Sequence, residues 1–463
     1  MSLAQQTAPA GTGVIVRIVP AALWAGLAIV TGQIVFAAMT SAQADWLGLT
    51  LSALTLFLGA VVASYSSRYM RADAAPGTFF VRLAGLVASV VLFLNSQTLI
   101  GLAVGWIASG LLLAALIGHK GGWAEARAAQ RRTLRCFIAG DMALLAAFGL
   151  VYLSTGTVKI AVIGTAFAAG APATAIAVSA LLLVAALTRC ATPPFAQWLL
   201  SSMTAPTPVS ALMHAGMVNA GGFLLIRFAP VIEAAPAIRY AAVALGFLAA
   251  IWGIGIMAVR PDIKRSLAGS TVSQMGFMIM SCSLGAYAAA LWHILAHGLF
   301  KAWLFLNAGS AVGMRAERLP ALEPRMVVAV AAITLVAGSV MAASGTAGTE
   351  MVPLLLAIAT GAATMGTIVF ARIEIGSRMA LAGMLIVLAV VHTLGVGVAQ
   401  AIVPASGTAL LPAPYAILLL AAFLGCWVWQ MRRVARQESL PAQLYVRLLN
   451  LGNMPATNAG DRS

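Results

Sequence analysis

Charge is what this sequence has least of. Of its 463 residues only 8% are Asp, Glu, Lys or Arg, while 62% are hydrophobic, and the mean hydropathy is +0.98. A soluble fold of this length faces water over far more charged surface, so the chain belongs in a bilayer. Cysteine is scarce as well. Cys136, Cys190, Cys282 and Cys426 lie far apart in or beside apolar segments, with no CxxC and no metal-ligand spacing, and read as buried free thiols. Acidic residues number 12 against 27 Lys and Arg, a net charge of +15. Such an excess would suit nucleic acid if it formed one patch. Nearly all of it sits at the ends of apolar runs, as on the cytoplasmic side of a membrane protein, so no nucleic-acid partner is expected. The opening MSLAQQTAPAGTG lacks a basic stretch and a cleavage site, so residues 1–13 are expected as a disordered tail, not a cleaved signal peptide.

What is there is apolar length. At about 22 residues per span, fourteen helices take roughly 308 residues and leave short loops and two tails. No separate soluble domain fits, which argues against a chain that itself binds NADH, ATP or a flavin and puts redox or hydrolytic chemistry in a partner. The fold expected is all-α, a polytopic membrane protein of about 14 transmembrane helices. The spans fall near 14–39, 46–65, 79–95, 97–117, 134–153, 171–199, 206–230 and 237–259, then near 266–284, 286–312, 326–343, 351–371, 378–400 and 411–430. With the N-terminus cytoplasmic, every loop after an even-numbered helix should be basic. They are: Arg68 and Arg71; Lys120, Arg127, Arg131, Arg132 and Arg135; Arg260, Lys264 and Arg265; Arg315, Arg318 and Arg325; Arg372 and Arg378; Arg432, Arg433 and Arg436. The opposite loops hold only Lys159 and Arg239, with acidic Glu233 and Glu350, so both termini are expected in the cytoplasm. Residues 154–170 are too short and glycine-rich for a span and read as an interfacial stretch. The tail 431–463 carries a short amphipathic helix from Leu440 to Gly452.

The informative residues are polar ones inside apolar runs, because a charge at the bilayer centre costs about 2.5 to 3.5 kcal/mol even on a lenient scale. No catalytic residue, metal-ligand set or cofactor is expected in this chain, and the candidates form a cation pathway. WHILAHGLFKAWLF puts His293, His297 and Lys301 on one face of the tenth helix, about 6 Å apart along the axis, a row that can pass protons. The plain alternative is a snorkelling lysine and histidines bonded to carbonyls. In LTRCATPPFAQWLL, Pro193 and Pro194 follow intramembrane Arg189 and should break the helix, which is tolerated where it lines a polar cavity. The next helix starts at Thr207 and Pro208, carries His214, and continues through Asn219, Gly221 and Gly222, a small close-packing stretch. Ser270, Thr271, Ser273 and Gln274 line a polar helix that either holds a file of water or supplies interhelical hydrogen bonds. Asp141, just inside the fifth helix, either pairs with a cation such as Arg189 or forms a salt bridge at a helix mouth.

PTPVSALMHAG, DIKRSLAGSTVSQMGFM, HILAHGLFKAWLFLNAGS and YSSRYMRAD resemble the antiporter-like subunits of respiratory complex I, the L-type subunit and its Mrp antiporter cousins, from about Asp45 to about Gly313. The resemblance implies two inverted five-helix repeats, about 79–230 and 237–371, each with one broken helix, joined by buried charges that carry protons. The sequence departs from that pattern. Gly105-Trp106-Ile107 lacks the buried glutamate, the pairing lysine aligns with Arg189, which stays protonated, and near 342–350 only Glu350 stands where a second broken helix should carry lysine. The long lateral helix is missing too.

APTPVSALMHAGMVNAGGFLLIRF, with Arg227, and the tail QLYVRLLNLG are similar to a narrower family, the DabB-type membrane subunits of two-component inorganic-carbon transporters. That resemblance implies inward H+ or Na+ flow and a DabA-type cytoplasmic partner, zinc-containing and carbonic-anhydrase-like, that accumulates bicarbonate. Three readings follow: this transporter subunit in the cell inner membrane, surrounded by lipid; a proton-translocating subunit of a complex I or hydrogenase-type oxidoreductase; and a non-conducting scaffold.

Overall fold

The computed structural model describes residues 12–41, 43–168, 172–309, 323–345, 348–370, 374–403, 409–436, 438 and 440–451. Most of the expected N-terminal tail, Arg315, Arg318 and Arg372 of the basic loops, and the tail beyond 451 lie outside the described residues. In chain order the helices are α1 (Thr12–Thr40), α2 (Trp46–Tyr69), α3 (Pro76–Asn95), α4 (Leu99–Ile117), α5 (Ala124–Thr155), α6 (Ile160–Ala168), α7 (Pro172–Arg189), α8 (Gln197–Ser201), α9 (Thr207–Ala215) and α10 (Ala220–Arg227). There follow α11 (Ala229–Glu233), α12 (Pro236–Val259), α13 (Ile263–Leu284), α14 (Tyr287–Leu306), α15 (Pro324–Ala343), α16 (Met351–Phe370), α17 (Ile375–Ile402), α18 (Ala413–Ala435) and α19 (Ala442–Asn450). The chain is a helical membrane protein, with no named strand among the described residues and a single isolated bridge between Thr98 and Lys159.

Twelve of the described helical segments are long and apolar enough to cross a membrane. Helices α7 and α13 occupy two further expected spans without meeting that measure: α7 ends early at Arg189, and α13 carries the polar run through Gln274. Helix α1 begins at Thr12, inside the stretch expected as tail.

Local chemistry explains the boundaries. Asp45, Thr98 and Asp262 accept from the N–H groups of Gly48, Gly101 and Arg265 at 3.0, 3.2 and 2.8 Å, each satisfying an orphan donor of a first turn. Pro76, Pro236 and Pro324 open α3, α12 and α15, where a missing N–H costs nothing. Gly156 and Gly285 close α5 and α13 at φ +65° and +88°, the left-handed region that favours glycine.

Helix α7 stops at Arg189 because Pro193, four residues on, blocks the carbonyl there and supplies no N–H. The break is paired internally: Trp198 Nε1 donates to the Thr188 carbonyl at 2.8 Å, and the chain resumes as α8. The returning segment is interrupted as well, at Gly216, where the expected continuous helix becomes α9, a 3-10 turn and α10. Asn219 Nδ2 repairs this break by donating to the Ala215 carbonyl at 2.7 Å. Gly221 lets α10 touch the broken helix: a Cβ there would lie 2.5 Å from Cys190 Sγ and 2.6 Å from the Ala186 carbonyl. In the second half, neither α15 nor α16 is interrupted among its described residues, and residues 346–347 of the stretch near 342–350, where a second broken helix is expected, lie outside the described residues.

Segment 154–170 contributes α6, nine residues packed against α11, with Gly164 against Pro230. Its start pairs with the α3–α4 connection, the Ile160 N–H donating to the Gln97 carbonyl at 3.0 Å. Gln97 in turn donates to Asp45 at 3.1 Å, and Asp45 also pairs with Arg227. The loops at 45, 97 and 159 and the end of α10 therefore meet at one end of the bundle, so α6 does not cross. At the other end α19 packs its Leu448 on Gly255 of α12, as an amphipathic helix should, and Arg260 donates to the Leu451 carbonyl.

The tightest helix pair is α12 with α13. A Cβ on Gly253 would lie 2.3 Å from the Ser273 N and 2.7 Å from the Gly269 carbonyl, and one on Gly276 would lie 2.6 Å from the Gly246 carbonyl. Small residues let membrane helices approach to backbone contact, where dispersion replaces the missing hydrophobic drive. Gly253→Leu is expected to cost about 1–3 kcal/mol by overpacking, read as a lower unfolding midpoint in detergent. Gly361→Leu on α16, with nothing within 4 Å of its Cβ position, should leave that midpoint unchanged.

Candidate functional site

Two buried polar centres emerge from the candidate residues. The first lies where α7 breaks. Arg189, 1% exposed, donates through Nη2 to Asp141 Oδ1 on α5 at 3.0 Å and to the Trp106 carbonyl on α4 at 2.8 Å. Its guanidinium carbon stands 4.2 Å from the Phe137 ring centroid and 4.9 Å from that of Trp106. Gly110 gives it room, since a Cβ there would lie 2.6 Å from both Nη atoms. Of the two readings of Asp141, the structure forms the interhelical pair. The acid lacking at Ile107 therefore reaches the cation from another helix, while the Trp106 turn of α4 contributes a carbonyl and a ring. Pro193 and Pro194 fix the end of the helix that carries the arginine.

The second centre gathers three candidate segments at α9, α13 and α14. His293 and His297 stack with ring centroids 5.5 Å apart and planes inclined by 20°, as their i, i+4 spacing dictates. Lys301, 2% exposed, continues the row and donates from Nζ to the Leu267 carbonyl of α13 at 3.1 Å. His214 arrives from α9, its Nδ1 3.0 Å from Thr271 Oγ1 and its ring stacked on Phe305 at 4.2 Å. Close approach of the helices makes this possible: a Cβ on Gly298 would lie 2.8 Å from the Ala215 carbonyl. His214, His293 and His297 each bury an Nε2 atom with no hydrogen-bond partner among the described residues. Such atoms are rarely left dry, so the three ring nitrogens point to water or a passing cation. Lys301 belongs to no ion pair among the described residues, unlike Arg189.

Of the polar run on α13, only Thr271 joins this centre. Ser273 backs onto Gly253 of α12, and Ser270 and Gln274 are half-buried with no side-chain hydrogen bond among the described residues. At 100° per residue the four side chains fan over about 160°, so α14 and α9 meet only part of that arc. Cys190 and Cys282 are buried free thiols, whereas Cys136 and Cys426 are only half-buried, because they sit on helix faces that no neighbour covers completely.

Several buried or half-buried polar groups at the end of the bundle that holds Asp45 were not among the candidate site residues. Arg227 pairs with Asp45 and donates to the Leu94 carbonyl at 2.7 Å. Arg239 donates from Nε to the Ser283 carbonyl at 2.9 Å. Glu350, outside the spans, stands near the backbone N–H groups of Ala288 and Ala289 in the first turn of α14, the end from which the histidine row begins. Burial pushes its carboxyl upward, against the pull of those two N–H groups. His392 of α17, which accepts from Trp292 Nε1 at 2.9 Å, was detectable by the same rule that flagged the other histidines.

A polytopic helical bundle with a broken helix at a buried Arg–Asp pair and a second buried centre built on a histidine–lysine row is the architecture of an antiporter-like membrane subunit. Residues 96–370, more than half the chain, match the family described as NADH:quinone oxidoreductase/Mrp antiporter, TM, and the protein belongs to that family. It is similar to the probable inorganic carbon transporter subunit DabB1 of Halothiobacillus neapolitanus, 37% identical over 281 residues that cover 59% of this chain and 50% of that one. DabB of Bacillus subtilis is 35% identical over 271 residues, covering 58% and 54%. NADH-quinone oxidoreductase subunit L of Mycobacterium tuberculosis is 35% identical over 276 residues, covering 58% and 43%. The chain thus spans about half the length of the curated relatives it matches. Among solved structures, the Mrp complex from Dietzia sp. DQ12-45-1b superposes with a TM-score of 0.64 at 25% identity, covering 95% of this chain and 57% of that chain.

Proposed function

We propose that this protein is the membrane subunit of an energy-coupled inorganic-carbon transporter of the cell inner membrane, with both termini cytoplasmic. It conducts H+ or Na+ inward through the centre formed by His214, Thr271, His293, His297 and Lys301. The observation that carries the conduction step is the convergence of these residues from three helices, with three ring nitrogens left for water or a cation. Arg189 and Asp141 form a separate fixed ion pair, whose dipole contributes to the field along the path and which does not itself relay protons. Similarity to two DabB subunits supports inorganic carbon as the substrate class. Hydration chemistry then belongs to a DabA-type cytoplasmic partner, zinc-containing and carbonic-anhydrase-like, and this chain supplies no cofactor and no catalysis.

The test is co-expression with the products of neighbouring reading frames in cells that cannot accumulate bicarbonate. Labelled bicarbonate should accumulate only when this chain and a large co-purifying zinc protein are both present, and collapse when the ion gradient is dissipated. Co-elution with quinone-oxidoreductase subunits, without uptake, would select the respiratory reading instead. That reading has its own support in the similarity to subunit L.

A further inference from the structure

At the end of the bundle that carries the basic loops, an open cavity of about 980 Å³ lies between α1 and the end of α2. Arg17 forms one wall, Arg68 and Arg71 another, with Tyr65, Ser67 and Tyr69 between them. No carboxylate lines it among the described residues. None of the three arginines has an ion pair or a side-chain hydrogen bond among the described residues, whereas Asp73, two residues beyond Arg71, is taken by His119 at 2.9 Å and Lys120 at 3.6 Å. Three like charges facing one space repel each other unless an anion lies among them. The walls are held in place: Ser64, which lines the cavity, accepts from Trp24 Nε1 at 3.2 Å, and Tyr65 stacks on Tyr69 at 5.7 Å.

We propose that this cavity holds the headgroup of an anionic phospholipid. The phosphodiester matches three unpaired guanidinium groups, which bind phosphate oxygens by charge-assisted, often bidentate hydrogen bonds. A lipid is favoured over a soluble anion by what adjoins the cavity. Val16 and Pro20 give it an apolar floor, and α1, largely uncovered by the rest of the protein, exposes Val14, Ile18, Trp24 and Ile29 to the bilayer. Acyl chains can lie along that surface, and the paired tyrosines stand at the level where such rings meet headgroups.

The experiment uses the full chain, delipidated in detergent and titrated with phosphatidylglycerol or phosphatidylcholine, with bound lipid counted by native mass spectrometry. Phosphatidylglycerol should bind and phosphatidylcholine should not. The triple variant Arg17→Gln, Arg68→Gln, Arg71→Gln should lose affinity by about fivefold per arginine. Removing the same charge elsewhere, as Arg131→Gln, Arg132→Gln, Arg135→Gln, should leave binding intact. If the first variant does not fold, Arg17→Gln alone decides, with a loss of about fivefold. The proposal is overturned if phosphatidylcholine binds equally, if the cavity variant binds as the parent does, or if both triple variants weaken binding alike. Soluble glycerol phosphate displacing the lipid at equal concentration would also overturn it, by assigning the site to a soluble anion.

Discussion

Lys301→Ala is expected to abolish ion-driven uptake while leaving the protein folded and abundant in the membrane. The two halves of this expectation have separate causes. Among the described residues Lys301 donates to the Leu267 carbonyl alone, a charged hydrogen bond worth about 1.5–3 kcal/mol. Against that loss stands the removal of a buried charge, worth about 2.5–3.5 kcal/mol on the insertion scale, so stability should change little. In the proposed path, Lys301 is the cation that continues the row of stacked histidines, and alanine leaves no group there to hold or hand on a proton. Uptake and the detergent unfolding midpoint measured on one preparation distinguish the cases. Normal uptake by a well-expressed variant would return Lys301 to a packing role.

Arg189 should behave in the opposite way, because its charge is paired. Asp141→Asn or Arg189→Met leaves a buried ion without its partner, which costs about 3–5 kcal/mol, whereas replacing both by apolar residues removes the problem and the desolvation penalty together. The unfolding midpoint should therefore fall in each single variant and recover in the double variant Arg189→Met, Asp141→Leu. Uptake should be lost in all three, since the double variant restores packing but not the field acting on the path. Recovery of uptake along with stability would show that the pair serves only the fold. An unchanged midpoint in both single variants would show that the Arg189–Asp141 contact contributes nothing to stability.

Much of this architecture was legible from composition and spacing. Apolar runs of 20 residues leave the backbone no alternative to helix in a bilayer, so the helical segments were set by the sequence. Proline four residues beyond Arg189 determined where α7 stops, because the steric clash is local. The i, i+4, i+8 spacing of His293, His297 and Lys301 put them on one face whatever surrounds α14. The interruption at Gly216 was not legible, because nothing in ALMHAGMVNAGG forbids a continuous helix. Only its packing against α14 and α7, with Asn219 repairing the lost bond, favours the break.

The sequence by itself determined that the chain is helical, spans a membrane and carries its basic residues at alternate connections, since hydropathy, proline and charge act over one or two turns. Tertiary structure alone decided which buried groups meet. Asp141 and Arg189 are 48 residues apart, His214 and Thr271 57, and Asp45 and Arg227 182. Hydropathy is blind to such pairs, because each residue looks equally costly in its own helix. They form because every buried charge must find a partner in a medium that offers none. Lys301 and Arg239, each buried, instead donate to a backbone carbonyl, of Leu267 and Ser283, with no ion pair among the described residues.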